Sequence, residues 1–426
     1  MIMHRIKRII LFVSCLVVLP LSAQTTLEQC RTLAREHYPA IRQYGLVEKT
    51  RELTLRGASS AYLPQIIVGG QATWQNAVAS FPQQLTSMLV STGMDIPGIR
   101  KDQYQLSVNV EQPLWDGGKS RADKAAATAQ AAVDSRQLDV DFRTLEKQVD
   151  ELFFGTLMLD KRIEQGRSLV ELLENNLETV RSMERNGVAM SSDVDALEAE
   201  LLGAEEKVKG LESARESYLL ALRLFTGAEI EALVTPLMPV NHSYTQLPEL
   251  RLIDARLDAI DAQKQMLNVS SMPRLSLFAQ GWYGYPGLDM FRSMVSSDWT
   301  FNAIVGVRAT WNISSLFTRQ NSLQKLSVAR SRAEVQRDVI TFNNTLQNTQ
   351  KQNDIRRLEE QLELDGRIAE LRHNVRLSAE SKYRNGVSGL NDLLKAINDE
   401  NDAETTRANH ELELLKNAYE LNQNTL

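Results

Sequence analysis

The stretch KSRADKAAATAQAAVDSRQLDVDFRTLEKQVDELFFGTLMLDKRIEQGRSLVELLENNLETVRSMERNGVAMSSDVDALEAELLGAEEKVKGLESARESYLLALRLF, Lys119 to Phe225, decides the fold. It holds no proline and carries apolar residues at coiled-coil spacing over most of its length. Phe142, Leu145, Val149, Leu152, Thr156, Leu159, Ile163, Gly166, Val170, Leu173, Leu177 and Val180 alternate steps of three and four, and only Thr156 and Gly166 among them are not apolar. A seam kept over that many heptads belongs to a helix buried by partner helices, not to a single amphipathic surface helix. Arg185-Asn186-Gly187-Val188 interrupts it. Asn186 and Gly187 tolerate the left-handed conformation that closes a helix, and Ser191-Ser192-Asp193 supplies capping oxygens for a return helix. That helix continues through Leu197, Leu201, Ala204, Val208, Leu211, Tyr218, Leu222 and Phe225. At ~1.5 Å per residue, Lys119 to Arg185 spans roughly 100 Å, longer than a globular chain of this size.

The same unit occurs twice. Arg185-Asn186-Gly187-Val188 returns as Arg384-Asn385-Gly386-Val387, Asp193 falls on Asp392, and Pro39 and Pro64 recur as Pro248 and Pro273. The changing offset makes the second copy about ten residues shorter between its first strand and its turn. All 11 prolines lie outside Leu114–Thr235 and Gly287–Leu426. Proline breaks a helix interior at a cost of ~3 kcal/mol, so those gaps mark where unbroken helix is needed. Each copy reads as short helix, strand, outer loop, strand, long helix, turn, long helix. The first repeat takes residues 24–235, with strands at about 63–75 and 103–115 and long helices at about 119–185 and 191–226. The second takes residues 236–426, with strands at about 273–283 and 299–313 and long helices at about 317–384 and 390–422.

Of 426 residues, 24% are charged and 43% hydrophobic, and no stretch after the first residues reads as a long transmembrane helix. Residues 1–23 read as a secretory signal peptide: Arg5, Lys7 and Arg8 precede the apolar run Ile9–Leu21, and Leu21-Ser22-Ala23 ends it. Taking its three basic residues from the 48 Lys+Arg leaves 45 against 54 Asp+Glu, a net charge of −9. An acidic exported chain is a poor candidate for binding nucleic acid. Cys15 leaves with the signal, so Cys30 has no intramolecular partner for a disulfide. Leu27-Glu28-Gln29 before it lack the small pair of a lipoprotein signal, which leaves Cys30 as an ordinary buried thiol.

The strands are the most informative short segments. In Gln103–Glu111 every second residue is apolar and its neighbours are all polar, so one face meets hydrocarbon or core and the other meets water. Phe301, Ala303, Val305, Val307, Ala309, Trp311 and Ile313 repeat the alternation, whereas Gln65–Trp74 and Arg274–Trp282 alternate less cleanly. All 5 tryptophans (Trp74, Trp115, Trp282, Trp299 and Trp311) lie within or at the ends of these strands and none lies in the long helices. Tryptophan concentrated at strand ends is the pattern of an aromatic girdle at a membrane interface. Four strands do not close a barrel, and an open sheet edge in lipid leaves backbone groups unsatisfied, so strands must be pooled between chains. Three copies give twelve strands, and closure alone also permits two or four.

The signal peptide, the doubled strand-hairpin and helix-hairpin unit, the strand exit Pro113-Leu114-Trp115-Asp116-Gly117-Gly118 and the two Asn-Gly turns resemble TolC-like outer-membrane efflux proteins. The resemblance covers essentially the whole chain after the signal. It implies an α+β membrane protein, a homotrimer whose hairpins share a 12-stranded outer-membrane β-barrel and whose coiled-coil helical hairpins form a periplasmic tunnel. The partners it implies are a periplasmic adaptor, an inner-membrane pump and outer-membrane lipid. It further implies a gate just past the turns, with Tyr383 matching the gate tyrosine, Asp193 the acid it bonds and Asp392 an inward-facing acid that constricts the lumen. Ser388 stands where a basic gate partner is familiar and Lys395 where a second acid is, so an Asp392 ring would lie near a Lys395 ring. As helix-start residues, Asp193 and Asp392 are equally explained by the macrodipole.

No catalytic constellation is visible. Gly118-Lys119-Ser120 is half a phosphate-binding loop, but the first glycine of that motif would fall on Pro113. His37, His242, His373 and His410 lie on separate segments without metal-ligand spacing, and neither cofactor nor metal is expected. The expected function is a passive duct for efflux of small molecules. Metal-ion efflux and polypeptide secretion are alternatives within transport, and an exported coiled-coil spacer is the alternative outside it.

Overall fold

The computed structural model describes residues 25–93, 96, 98–239 and 246–424. The signal segment 1–23 lies outside the described residues, as does His242. The helices are α1 Leu27–His37, α2 Arg42–Ser60, α3 Gln83–Ser91, α4 Lys119–Arg185, α5 Ser191–Thr226, α6 Pro248–Ser270, α7 Met290–Val295, α8 Ser314–Arg384 and α9 Leu390–Asn424. A 3-10 turn at Pro39–Ile41 separates α1 from α2. The strands are β1 Gln65–Trp74, β2 Asp102–Trp115, β3 Arg274–Tyr285 and β4 Thr300–Thr310. None of the described helices is long and apolar enough to cross a membrane, which says nothing of the strands. The chain divides into two compact units, one of Met1–Tyr44, Arg136–Leu252 and Arg337–Leu426, the other of Gly45–Ser135 and Ile253–Gln336.

The second unit holds the sheet. Its strands run in the order β1-β2-β3-β4, every neighbour antiparallel, so each repeat forms a hairpin and β2 joins β3 across the repeats. Directly opposed residues share a face, and the register sorts them by chemistry. Ile66, Val110, Ala279 and Val305 form one cross-strand row, followed by Val68, Val108, Gly281 and Ala303, then Gly70, Leu106, Tyr283 and Phe301. The alternate rows are Gln65, Glu111, Phe278 and Gly306; Ile67, Asn109, Gln280 and Ile304; Gly69, Ser107, Trp282 and Asn302. One face is therefore wholly apolar through its centre, and the other carries all the polar side chains of these rows.

Tryptophan placement divides. Trp299 precedes β4 and packs on Tyr104 and Tyr283, ring centroids 6.4 and 5.5 Å away, both residues of the apolar face. At the opposite end Trp115 pairs with Leu275, and the Trp311 indole N–H donates to the Ser271 carbonyl at 2.9 Å. Trp282, grouped by sequence with the interface aromatics, lies instead on the polar face between Ser107 and Asn302. Its parity is that of Ser276 and Gln280, and parity rather than hydrophobicity decides the face of a strand residue.

The exit from β2 shows why the motif after Trp115 is built of Asp and Gly. Gly117 and Gly118 have φ of 71° and 89°, the left-handed region, and a Cβ on Gly117 would meet Met272 Cβ and the Pro273 carbonyl at 2.9 Å. Asp116 accepts from the backbone N–H of Gly118 at 2.9 Å and of Ser120 at 2.7 Å, capping α4. The outer loops contain two short helices, α3 and α7, absent from the sequence reading because six to nine residues carry too little periodicity. The outer loop of the second repeat, 286–299, is shorter than that of the first, 75–101.

In the first unit, the α4 seam is buried at Phe142, Leu145, Val149, Thr156, Ile163, Leu173, Leu177 and Val180. α5 answers with Val194, Leu197, Leu201, Ala204, Val208, Leu219 and Leu222. Gly166 interrupts the apolar pattern because a Cβ there would stand 2.7 Å from Val208, so the missing side chain lets the two helices close. α1 buries Leu27, Cys30 and Ala34, and Arg31 grips Asp150 through both oxygens at 2.7 Å.

Candidate functional site at the hairpin tips

The two turns are built identically. Gly187 and Gly386 have φ of 72° and 68°. The Asn186 side-chain amide donates to the Ser182 carbonyl at 2.8 Å, and that of Asn385 to the Ser381 carbonyl at 2.7 Å. The Val188 N–H reaches the Met183 carbonyl at 2.9 Å and the Val387 N–H the Lys382 carbonyl at 2.9 Å, tying off α4 and α8. Each return helix then starts with its aspartate in the first turn.

Below the turns the hairpins pack together. Leu173, Leu177 and Val180 of α4, Val194, Leu197, Leu201 and Ala204 of α5, Tyr383 of α8 and Leu390, Leu393 and Ile397 of α9 form one cluster. Among the residues expected at a gate, Tyr383 and Asp193 are brought together, whereas Asp392 and Lys395 are exposed. The Tyr383 ring is buried, and its hydroxyl is buried without a hydrogen-bond partner. Burial, then the charge of Asp193, raises its pKa above the ordinary tyrosine value. The tyrosine–acid hydrogen bond that the resemblance implies is not made: the Asp193 carboxylate accepts from its own helix start, the Met190 N–H at 3.3 Å. Ser388 is half-buried, and its hydroxyl also lacks a partner.

Sequence reading missed a charged network in the same seam. Arg376, one heptad before Tyr383, is buried at 9% exposure. It donates to Glu400 from Nε and to Glu380 from Nη1 at 2.9 Å; Glu400 also meets His373 Nδ1 at 2.7 Å and Glu380 meets Arg384 at 2.6 Å. Arg372 pairs with Asp399 at 2.7 Å and Asn398 with Glu200 at 3.0 Å. The available signal was an arginine in a buried heptad position with glutamate at i+4, which calls for a paired charge. Among the described residues no group of three or more His, Cys, Asp or Glu is placed to hold a metal. The site offers hydrogen-bonding groups at helix ends, two of them buried hydroxyls without a partner.

Comparison with known proteins agrees with this. Residues 31–228 match the family described as outer membrane efflux protein. None of the curated proteins matches the chain. Among solved structures, the outer membrane protein VceC of Vibrio cholerae superposes with a TM-score of 0.67 at 14% identity over 93% of this chain and 94% of its own. The CmeC outer membrane channel of Campylobacter jejuni gives 0.68 at 14% identity, over 94% of this chain and 85% of that one. The open-state MtrE outer membrane channel of Neisseria gonorrhoeae gives 0.65 at 14% identity, over 94% and 88%. At these identities the structures establish a common fold, and the sequence match to a family of channels rather than enzymes supplies the kinship. With that match over the first repeat and the shared fold over nearly the whole length, the chain is similar to the TolC-like channels of the outer membrane efflux protein family.

Proposed function

We propose that three copies of this chain form an outer-membrane duct, the exit component of a tripartite export system for small molecules. The sheet carries the reading: it has an apolar face, a polar face, and unpaired outer edges on β1 and β4. Lipid tolerates such a sheet only if the edges close on other copies. From the Tyr283 row to the Leu275 row the apolar band runs about 27 Å along the strand, or about 20 Å at a tilt of ~40°, close to the ~25 Å band of outer-membrane barrels. Aromatic residues stand at both of its ends, Trp299 with Tyr104 and Tyr283 at one, Trp115 and Trp311 at the other.

A second feature supports the homotrimer. On α8, Val335, Val339, Phe342 and Leu346 are exposed and spaced by four, three and four, and Leu364, Ile368, Leu371 and Val375 repeat the spacing. A coiled-coil seam left bare in one chain calls for helices of another. The hairpin tips, with Val188, Met190 and Val387 exposed, would meet a periplasmic adaptor that links the duct to an inner-membrane pump. Tyr383, Asp193, Ser388, Asp392 and Lys395 would form the tip gate, Tyr383 and Ser388 holding hydroxyls in reserve for a neighbouring copy.

Single-channel conductance of the detergent-purified protein in a planar bilayer, with the trimer mass measured in parallel, tests the duct. Stable trimers giving small, steady conductance are expected. A monomer that never inserts sinks the reading and leaves a coiled-coil spacer. For the gate, the double variant Asp193→Ala/Tyr383→Phe is expected to raise resting conductance. Unchanged conductance at normal trimer yield removes these two residues from it.

A further inference from the structure

The channel reading leaves one feature of the first unit unused. A cavity of about 390 Å³ is lined by Arg35 of α1, Arg136 and Arg143 of α4 and Arg251 of α6, with Asp139 and Glu146 as its acids. Arginine presents a planar fork of five N–H donors that fits carboxylate and phosphate oxygens. Four such forks face two carboxylates in the lining, and Glu249 beside it neutralises Arg143, so one positive charge is left in excess.

The donors are unevenly used. Arg136 gives one N–H to Asp139 at 2.9 Å, and the other Asp139 oxygen is taken by the Tyr44 hydroxyl at 2.6 Å. Arg143 is held by Glu249, which lies outside the lining, at 2.5 Å and by the Gln423 carbonyl at 3.2 Å. Arg35 faces Glu146 only at 3.7 Å and lies over the Phe142 ring at 5.1 Å. Burial raises the pKa of Glu146, against the charges of Arg31 and Arg35. The charge of Arg251 acts on Asp139, and its Nε–H is buried without an acceptor. A buried donor left unpaired is costly, the more so on a charged group among other cations.

We propose that this cavity binds a phosphate monoester group, with Arg251 as its principal ligand and Arg35 and Arg136 as supports. A carboxylate offers two oxygens in one plane, whereas a phosphate monoester offers three acceptors, spread tetrahedrally, to donors arriving from three helices. The cavity also exceeds a bare phosphate, leaving room for the group that carries it. Two sources share this chemistry: a soluble phosphate ester, and the headgroup of a phosphomonoester lipid. The proposal is independent of the duct, because it requires only the first unit and no conductance.

The test is equilibrium dialysis of the full-length detergent-purified protein against labelled inorganic phosphate at fixed, chloride-balanced ionic strength. Saturable binding of one phosphate per chain is expected, weakened at least tenfold in Arg251→Gln and several-fold in Arg35→Gln, with melting temperatures in the absence of phosphate unchanged. Arg35 is half-exposed, so its variant keeps the test alive if Arg251→Gln does not fold. Displacement by glycerol phosphate at lower concentration than by phosphatidic acid in mixed micelles assigns a soluble ester, and the reverse order assigns a lipid. No saturable binding to the unmodified protein, or equal affinity in both variants, overturns the site.

Discussion

The two hairpin tips share a backbone and differ in how they pack below it. Both turns close with Asn-Gly-Val, the same hydrogen bonds and the same left-handed glycine. Yet where the second repeat has Tyr383, buried in the cluster between the hairpins, the first has the half-buried Glu184. Leu390 and Leu393 of the second hairpin are buried where the first has exposed Ser191 and buried Val194. Duplication kept what the chain needs to reverse direction. It released what decides how one reversal packs on the other. Repeats diverge in this way when the turn is a local requirement and the seam a mutual one.

The sharpest way to break the comparison is at Tyr383 and its counterpart. Tyr383→Ala empties a fully packed site and is expected to cost about 3–5 kcal/mol at the tip, whereas Glu184→Ala stays within about 0.5 kcal/mol. Hydrogen exchange of the tip amides reads both, with early loss of protection confined to the Tyr383 variant. Equal protection in the two variants would mean that the tips are independent and the shared cluster is without consequence.

The turns themselves test what is common. Neither Gly187 nor Gly386 has an atom within 4 Å of where a Cβ would stand, so a substitution meets only the backbone penalty. Gly187→Val and Gly386→Val are each expected to destabilise by about 1–2 kcal/mol, and by the same amount. A difference above about 1 kcal/mol between them, read by urea unfolding, would show that the tips are not backbone equivalents.

How much of this was legible in the sequence follows from the kind of information each feature uses. The long helices were readable because a seam of period 3.5 extends over many heptads, and the turn because Asn-Gly needs no distant partner. The face of Trp282 was not legible, since nearness to a strand end does not fix it and the alternation of that strand is broken by Phe278. The bond between Tyr383 and Asp193 was a matter of side-chain direction, which spacing does not encode. Arg376 was passed over although its heptad position, with Glu380 beyond it, marks a buried charge needing Glu400 from another helix.

Tyr383→Phe sharpens the comparison through pH. The hydroxyl has no partner, so its removal is expected to be neutral or slightly stabilising at neutral pH. Burial and Asp193 raise the Tyr383 pKa, so the folded state favours the neutral ring more than the unfolded state does. The resulting stability is fully present below the ordinary value of 10.0 and is lost as pH rises through the raised folded value. Alkaline unfolding followed at the tip is therefore expected to be shallower in Tyr383→Phe than in the unmodified chain. An identical pH slope would place the ring in water.

The smallest expected difference is between the two aspartates, and it separates a cap from a charge. Asp193 accepts the Met190 N–H at 3.3 Å and stands at the start of α5, so it combines a reach-back hydrogen bond with the helix dipole. Asp392 occupies the matching position of α9, is exposed and makes no such bond, leaving it the dipole alone. Asp193→Ala is expected to cost about 1 kcal/mol and Asp392→Ala about 0.3 kcal/mol. Raising salt screens the exposed charge within a Debye length of ~8 Å at physiological strength and less above it, so the Asp392 effect fades while most of the Asp193 effect persists. If both effects vanish together in salt, the Met190 contact contributes nothing and the two helix starts are the same device. If only one does, the first tip holds its aspartate by geometry. The second then leaves its aspartate free for whatever passes between neighbouring chains.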